Sequence, residues 1–294
     1  MTFSLYIFQM INKWLIYSIL FVLWVMPNEV LSKSNYGMEW LPGGSYWRTT
    51  ILDPTSPQIS ASLLAYQVEG SVKEKVYSPV NIGTQKMVFR FEDTEARGFE
   101  FGLEFGVHSQ FTIVDSGDAF MGGLQNTDYR IGGVLHYHHD HSVWRILLFH
   151  QSSHLGDDFM LRTQFFIPNS KVLNYEQLSL SRMLIRDNAQ YYYGIGFNVS
   201  PHTTRKRSAF HGGFQFQHPI QASPRLGYVY GLHIRLDEQN DFRPSFKTGL
   251  GIELGRNNRN PFMVFLEYYY GNLPYSTLEY QKVQLYGIGV YFHR

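Results

Sequence analysis

Apolar and polar residues alternate along most of the chain, which is the pattern of β-strands. From Phe99 to Val107 every odd position is apolar, whereas the even positions carry glutamate and glycine. Side chains of a strand point alternately to its two faces, so one face of this segment is wholly apolar and the other is polar. The same alternation returns in residues 191–199, 226–235, 246–255 and 286–292. The pattern predicts an all-β protein.

The positions of glycine and the aromatic residues favour a membrane-spanning barrel over a soluble sandwich. Many alternating segments run for ten or more residues, glycine is concentrated on the polar face, and Tyr and Phe gather towards the strand ends. Barrels of this kind turn an apolar face to lipid and a polar face to the lumen, with aromatic girdles at both rims. Their closure also leaves no unpaired strand edge in hydrocarbon. We therefore predict a transmembrane antiparallel up-and-down β-barrel.

The alternating segments predict about twelve strands. Their ranges are 59–67, 84–92, 98–108, 128–138, 142–152, 172–183, 189–200, 206–217, 225–236, 244–255, 260–271 and 281–292. An even number is expected when both termini of the chain lie in the periplasm. Connections after the even-numbered strands are short, whereas residues 68–83, 109–127 and 153–171 form long outer connections. Because proline cannot donate to a β-ladder, Pro79, Pro219 and Pro224 are predicted to lie between strands.

The first 32 residues indicate an export signal. Lys13 precedes an apolar stretch of 13 residues, 14–26, and Val30 and Ser32 occupy the small-residue positions before a cleavage site. An uncleaved signal anchor is the alternative. The predicted organisation is a signal peptide over 1–32, a periplasmic lead-in over 33–58 and an outer-membrane β-barrel over 59–294.

Composition narrows the class of protein further. The net charge is +1, from 25 basic and 24 acidic residues, so the chain lacks the excess positive charge that favours nucleic-acid binding. The absence of cysteine excludes disulfides, thiolate metal sites and cysteine nucleophiles. An exported barrel is expected in the bacterial outer membrane, where phospholipid and lipopolysaccharide are its partners. The barrel assembly machinery would act during biogenesis, and a homodimer through the aromatic lipid-facing wall is a further expectation.

Candidate chemistry lies at the end of the fifth predicted strand. His150 and Ser152 are two residues apart and therefore share a face, which points outward at the outer rim if the charged face lines the lumen. A histidine beside a serine can act as the general base that turns the hydroxyl into a nucleophile. Asn174 and Glu176 on the sixth strand share the lipid-facing parity. If residue 152 pairs near residue 173, one of them falls beside His150 and can orient the imidazole.

The H-x-S spacing on a barrel strand resembles that of outer-membrane phospholipase A, a twelve-stranded barrel, and of the lipid A 3-O-deacylase barrels. The resemblance implies that Ser152 is the nucleophile, that His150 is the base and that an Asn or Glu orients it, with phospholipid or lipid A acyl esters as substrates. Ser153 stands where those enzymes usually have Asn. The structural alternative is a polar pair within the hydrogen-bond network of the rim, or in the lumen if the two faces are reversed.

Four segments spread over the chain resemble an uncharacterised family of predicted bacterial outer-membrane proteins. They are Leu41-Pro-Gly-Gly44, Asp53-Pro54, Asp128-Tyr-Arg-Ile-Gly132 and His150-Gln-Ser-Ser-His-Leu-Gly-Asp157. This resemblance implies a location and an architecture but no activity.

Three further groups of polar residues have alternative interpretations. Asp157 and Asp158 are candidate ligands for Ca²⁺, which takes oxygen ligands, or else are simply solvated. Imidazole and carboxylate groups also suit zinc, nickel or copper, and a second cluster contains them: His136, His138, His139, Asp140 and His141. The run Arg205-Lys206-Arg207 is expected in an outer loop, either bound to lipopolysaccharide phosphates or solvated.

Charges of both signs on the predicted luminal face favour an ion-paired, partly plugged interior. They are Glu100, Glu104, Arg130, Arg235, Lys247, Glu253 and Glu267. Three classes of function stay open at this point. They are a serine acyl hydrolase of the outer leaflet, a narrow pore or small-molecule binder, and a non-enzymatic barrel that meets a partner through loops 68–83 or 109–127.

Overall fold

The computed structural model describes residues 37–68, 74–115, 120–163, 173–200, 205–256 and 261–292. Its described part is mostly β-strand, and the predicted signal peptide, residues 1–32, lies outside it. The strands are β1 (Met38–Trp40), β2 (Ile59–Val68), β3 (Glu74–Thr94), β4 (Arg97–Asp115), β5 (Phe120–His139), β6 (Ser142–Leu155), β7 (Asn174–Arg186), β8 (Ala189–Asn198), β9 (Ser208–Ile220), β10 (Ser223–Asp237), β11 (Pro244–Leu254), β12 (Phe262–Asn272) and β13 (Lys282–Phe292). One helix, α1 (Asp157–Thr163), follows β6. No helix among the described residues combines the length and the apolar character needed to cross a membrane.

Strands β2 to β13 form a closed antiparallel barrel of twelve strands among the described residues. Each strand pairs with its neighbours in sequence, and β13 closes the ring on β2, from Val283 opposite Val68 to Phe292 opposite Ile59. The short strand β1 pairs with the part of β3 that β2 does not reach, with Trp40 opposite Phe89. The predicted twelve-stranded, up-and-down barrel is therefore confirmed.

The two faces of the wall differ as the alternation predicts. The outward side chains of Leu63, Leu250 and Leu266 are 61, 57 and 63% exposed. The inward side chains of Glu100 and Gln151 are buried. Apolar residues therefore face outward and polar residues fill the interior, which is the arrangement that a barrel in lipid requires.

The connections alternate in length between the two ends of the barrel. Four hairpins close with two residues each at one end: 95–96, 140–141, 187–188 and 221–222. The fifth connection at that end, 255–261, is longer, and the opposite end carries connections such as 238–243 and 273–281. The predicted connections 68–83 and 109–127 are wrong in extent, because β3 starts at Glu74 and β4 continues to Asp115. Adjacent positions in these extensions are both polar in places, as at Ser109 and Gln110, so their alternation is weak in the sequence.

Three prolines that were predicted to lie between strands lie within strands, the first of them where β2 pairs with β3. Pro79 lies inside β3, opposite Gln110 of β4, rather than between strands. The pairing of β3 with β2 passes from Val80 directly to Tyr77, so the ladder is interrupted where proline has no N–H to donate. Pro219 and Pro224 also lie within strands, beside the 221–222 turn and a register shift in β10.

Residues 45–58, within the predicted lead-in over 33–58, form a segment inside the barrel that is here called the luminal segment. The amide of Tyr46 donates to the Glu100 carboxylate at 2.8 Å, and the amide of Ile51 donates to the Gln215 side chain at 3.2 Å. Buried apolar side chains complete the contact with the wall: Trp47, Ile51 and Leu52. Inward side chains of the wall bind backbone amides of this segment, which helps a chain without strand pattern to be buried there.

The opposite end of the lumen is closed by residues 273–281, here called the cap loop. Its side chains Leu273, Tyr275 and Leu278 pack in one buried cluster with Tyr77 and with Phe159 of α1. A Cβ added to the residue that precedes α1, Gly156, would collide with the Leu124 carbonyl oxygen, so the chain packs tightly against β5 at the start of the helix.

Arg205 anchors the cap loop and is not available to an external phosphate. Its guanidinium binds both carboxylate oxygens of Glu279, at 2.5 and 2.6 Å, and both side chains are buried. Burial raises the pKa of the Glu279 carboxyl, an effect that Arg205 opposes. The expectation that all of 205–207 lies in a solvated or phosphate-binding loop is therefore wrong for Arg205. Lys206 is exposed and pairs with Asp241 at 2.9 Å.

The filled lumen predicts that the barrel does not conduct ions. The luminal segment and the cap loop place Trp47, Leu52 and Tyr275 across the interior, which leaves little room for hydrated ions. Protein inserted into a planar bilayer should give no stable conductance steps above the baseline. An open porin in the same bilayer is the control for insertion, and discrete steps from the protein itself would contradict the prediction.

Candidate functional site

The end of β6 presents a polar group on the outward face of the barrel. His150 is exposed and Ser152 is half-buried on that face, whereas Gln151 and Ser153 are buried on the luminal side. Successive side chains of a strand point to opposite faces. Residues 151 and 153 have their hydrogen-bonding partners on the luminal face, so residues 150 and 152 point outward. The two residues of the H-x-S spacing therefore point to the lipid-facing exterior.

Glu176 is the side chain that contacts His150. The register of β6 and β7 sets His150 opposite Glu176 and Ser152 opposite Asn174. The Glu176 Oε1 atom lies 2.8 Å from His150 Nδ1, and the two side chains are 46 and 45% exposed. A carboxylate at Nδ1 favours the tautomer with its proton on that nitrogen, which leaves Nε2 as the proton acceptor.

Ser152 is next to this pair along the strand, at the spacing of about 6.6 Å that two residues span. Within the described residues its hydroxyl makes no hydrogen bond to His150. Catalytic hydrogen bonds are often long or poorly aligned before substrate binds, and they tighten in the complex. Asn174 faces Ser152 instead of His150, so of the two predicted orienting residues the register brings only Glu176 to the imidazole.

Ser200 completes the surroundings of Glu176 and has no signal in the sequence pattern. Its hydroxyl donates to Glu176 Oε2 and accepts the backbone amide of Glu176 at 2.5 Å. The amide of Val199 also donates to the Glu176 carbonyl at 2.9 Å. Ser200 thus holds the second carboxylate oxygen while the first binds the imidazole. It follows β8, beyond the alternation, so only the register of β7 and β8 reveals it.

The site lies where the outward wall changes from apolar to polar. Trp144, Ile146 and Leu148 precede His150 on the same face of β6, and all three are exposed. His154 follows Ser152, and its ring is T-shaped to the Tyr129 ring with 5.9 Å between the ring centroids.

The residues of both predicted metal clusters lie in the described part of the chain. Asp157 and Asp158 lie exposed in the first turn of α1. His136 is buried against Glu100 at 2.9 Å, while His139 and Asp140 form an exposed pair at the 140–141 turn. Among the described residues no three His, Asp or Glu side chains are grouped so as to hold a metal ion.

Comparison with known proteins identifies a family and a fold. A family model described as "Protein of unknown function (DUF1207)" matches residues 30–294. A search of curated proteins finds no match. The structure of the outer membrane phospholipase (OMPLA) dimer of Salmonella typhi with bound calcium is similar, with a TM-score of 0.55, 9% identity, and coverage of 90% of this chain and 95% of that one.

Other outer-membrane barrels match less closely. The translocator domain of the autotransporter NalP from Neisseria meningitidis has a TM-score of 0.36 and 8% identity, and covers 83% of this chain and 90% of its own. BamA from Haemophilus ducreyi lacking POTRA domains 1–3 has a TM-score of 0.31 and 8% identity, with 82 and 63% covered. The resemblance in fold to outer-membrane proteins therefore rests on the phospholipase structure.

Proposed function

The chain belongs to the DUF1207 family, and we propose that it is an outer-membrane acyl hydrolase that cleaves lipid esters at the rim of its barrel. One observation carries the proposal. The Glu176 carboxylate binds His150 Nδ1 at 2.8 Å, beside a serine on the same outward face. A nucleophile, a base and a group that orients the base are the three parts that serine hydrolases require.

The roles follow from the geometry of the imidazole. Ser152 Oγ attacks the ester carbonyl carbon while His150 Nε2 takes the hydroxyl proton, and Glu176 stabilises the imidazolium through Nδ1–H. The tetrahedral intermediate collapses, the alkoxide leaving group receives the proton from His150, and an acyl-serine is left. Water then attacks the acyl-serine with His150 again as the base, which releases the fatty acid and regenerates the serine hydroxyl.

The surroundings of Ser152 support a membrane lipid as the substrate. Exposed Ile146 and Leu148 on one side and His154 on the other set the hydroxyl at the boundary of the apolar wall. This boundary is the depth of the acyl ester bonds in a bilayer leaflet, between chains and headgroups. Phospholipid and lipid A both present such esters at the outer leaflet. Calcium bound by Asp157 and Asp158, a homodimer, and handling by the barrel assembly machinery stay predictions.

A serine-reactive probe tests this proposal directly. The folded protein in detergent micelles is treated with a fluorophosphonate, which phosphorylates activated serines and spares unactivated ones. We expect one adduct, located at Ser152 by peptide mass spectrometry, and release of fatty acid from phospholipid or lipid A by the untreated protein. Heat-unfolded protein is the control, because it retains the serine without its neighbours. An adduct elsewhere, or no adduct together with no ester cleavage, would reject the hydrolase.

A further inference from the structure

The luminal side of β6 is fixed to one buried carboxylate directly behind Ser152. The side-chain amide of Gln151 donates to Asp128 Oδ2 at 2.7 Å, and the hydroxyl of Ser153 donates to Asp128 Oδ1 at 2.5 Å. Asn126 donates to the same carboxylate at 2.8 Å. Asp128 is 1% exposed. Both sequence neighbours of Ser152 are therefore held by a single inward group of β5.

Arg130 joins this group to the luminal segment. Its guanidinium donates to Gln151 Oε1 at 2.8 and 3.1 Å through two nitrogens, and its third nitrogen donates to the Thr55 carbonyl at 2.9 Å. Gln151 is thus bound at both ends of its amide, by Asp128 and by Arg130. A side chain with its donor and its acceptor both occupied in a buried setting has few alternative positions.

The cap loop meets the same group from the other end of the lumen. The Thr277 hydroxyl donates to Ser153 Oγ at 2.5 Å, and the Thr277 amide approaches that oxygen at 3.3 Å. Ser153 consequently accepts from the cap loop and donates to Asp128. Three separate parts of the chain converge behind one residue of the outward face: the luminal segment, β5 and the cap loop.

We infer that Asp128 and Arg130 are positioning residues for Ser152, and that they hold the end of β6 rigid through Gln151 and Ser153. The inference rests on the proposed hydrolase and deepens it, because it assigns a task to the Asp128-Tyr-Arg-Ile-Gly132 segment on the face opposite the site. Strand neighbours fix the backbone from which Ser152 projects. A small displacement of a nucleophile from its attack geometry is costly, by up to about 100-fold in rate.

Arg145 offers a matched control within the same strand. Like Arg130 of β5 it is an inward arginine, it pairs with Glu104, and its guanidinium lies 5.2 Å from the centroid of the Trp47 ring of the luminal segment. It is seven residues from Ser152, a separation of about 23 Å along a strand. Substitution of Arg145 therefore removes a comparable luminal contact without touching Gln151 or Ser153.

The test compares the Asp128→Asn, Arg130→Gln and Arg145→Gln variants in two ways. The first readout is the rate of fluorophosphonate labelling of Ser152 in protein whose folding is checked by heat-modifiable electrophoretic mobility. We expect the rate to fall by at least about tenfold in the Asp128 and Arg130 variants, with KM for lipid ester unchanged, and to stay within about twofold in the Arg145 variant.

The second readout does not need an active enzyme. Because the chain has no cysteine, a Ser152→Cys variant carries one thiol for a nitroxide spin label. The label should be more mobile when Asp128→Asn or Arg130→Gln is added, and unchanged with Arg145→Gln. Equal mobility in all backgrounds, or an equal increase with Arg145→Gln, would overturn the inference. Absence of labelling in the unsubstituted protein, with the expected mobility changes, would reject the hydrolase and support the positioning.

Discussion

Ser152→Ala should reduce lipid ester hydrolysis by at least about 1,000-fold, while the barrel keeps its fold. The substitution removes the atom that would form the acyl-enzyme, and no neighbouring group can replace it, because His150 and Glu176 serve as base and orienting group. The removed hydroxyl is half-buried on the outward face and makes no hydrogen bond to His150. The fold should therefore be as stable as that of the unsubstituted protein. Fatty acid release from mixed micelles of phospholipid or lipid A measures the effect.

A second rim serine gives the matched control for this experiment. Ser109 lies half-buried on β4, where its hydroxyl contacts that of Thr127 at 3.0 Å. Ser109→Ala should leave hydrolysis within about twofold, since Ser109 touches none of the three catalytic groups. Full activity in both variants would mean that the nucleophile lies elsewhere.

Glu176→Gln should lower kcat by at least about 100-fold with little change in KM. The substituted amide can donate to His150 Nδ1, which stabilises the tautomer whose proton sits on Nε2 and which cannot accept the serine proton. The imidazolium formed during attack also loses its carboxylate counter-charge. The side chain keeps its size, so the 2.8 Å contact and the local packing are otherwise preserved. Steady-state kinetics on a lipid ester separate the two parameters.

Asn174 distinguishes a specific role of Glu176 from a general effect of rim polarity. Both residues lie on β7 and share the outward parity, yet Asn174 faces Ser152 rather than His150. Asn174→Ala should change kcat by less than about threefold. A large loss with Asn174→Ala and a small one with Glu176→Gln would reverse the assignment of the orienting residue.

The barrel could be predicted from the sequence because its rule is local and repeated. Alternation from Phe99 to Val107 is readable without any partner strand, and an outward Leu266 or Ile252 obeys the same rule in a distant strand. The rule fails where polar residues occupy both faces, as at Ser109 and Gln110, so the extensions of β3 to β5 are missed. Their strand character comes from pairing with a neighbour.

The luminal segment could not be predicted, because it has no periodicity of its own. Trp47, Ile51 and Leu52 are buried inside the lumen, and backbone hydrogen bonds to Glu100 and Gln215 hold the segment there. Those partners are about 50 to 165 residues away in sequence. Only the mixed charge of the luminal face indicates that something fills it.

The candidate site lies between these two cases. Its outward face follows from alternation, but the choice between Asn174 and Glu176 depends on the register of β6 and β7. A shift of one residue moves every side chain to the other face, and the sequence of the connection does not fix the shift. Ser200 and Asp128 become visible only when β7 with β8, and β5 with β6, are set side by side. Their catalytic and positioning roles stay predictions.

The luminal segment runs into the wall without a linker, since Gln58 is its last residue and Ile59 begins β2. A ligand tethered so closely keeps a high effective concentration at its own binding surface, whatever the amount of protein present. Loss of one anchoring contact therefore leaves the segment able to rebind at once. Removal of the segment from the lumen would need the loss of several anchoring contacts at once, so no single substitution should empty the barrel.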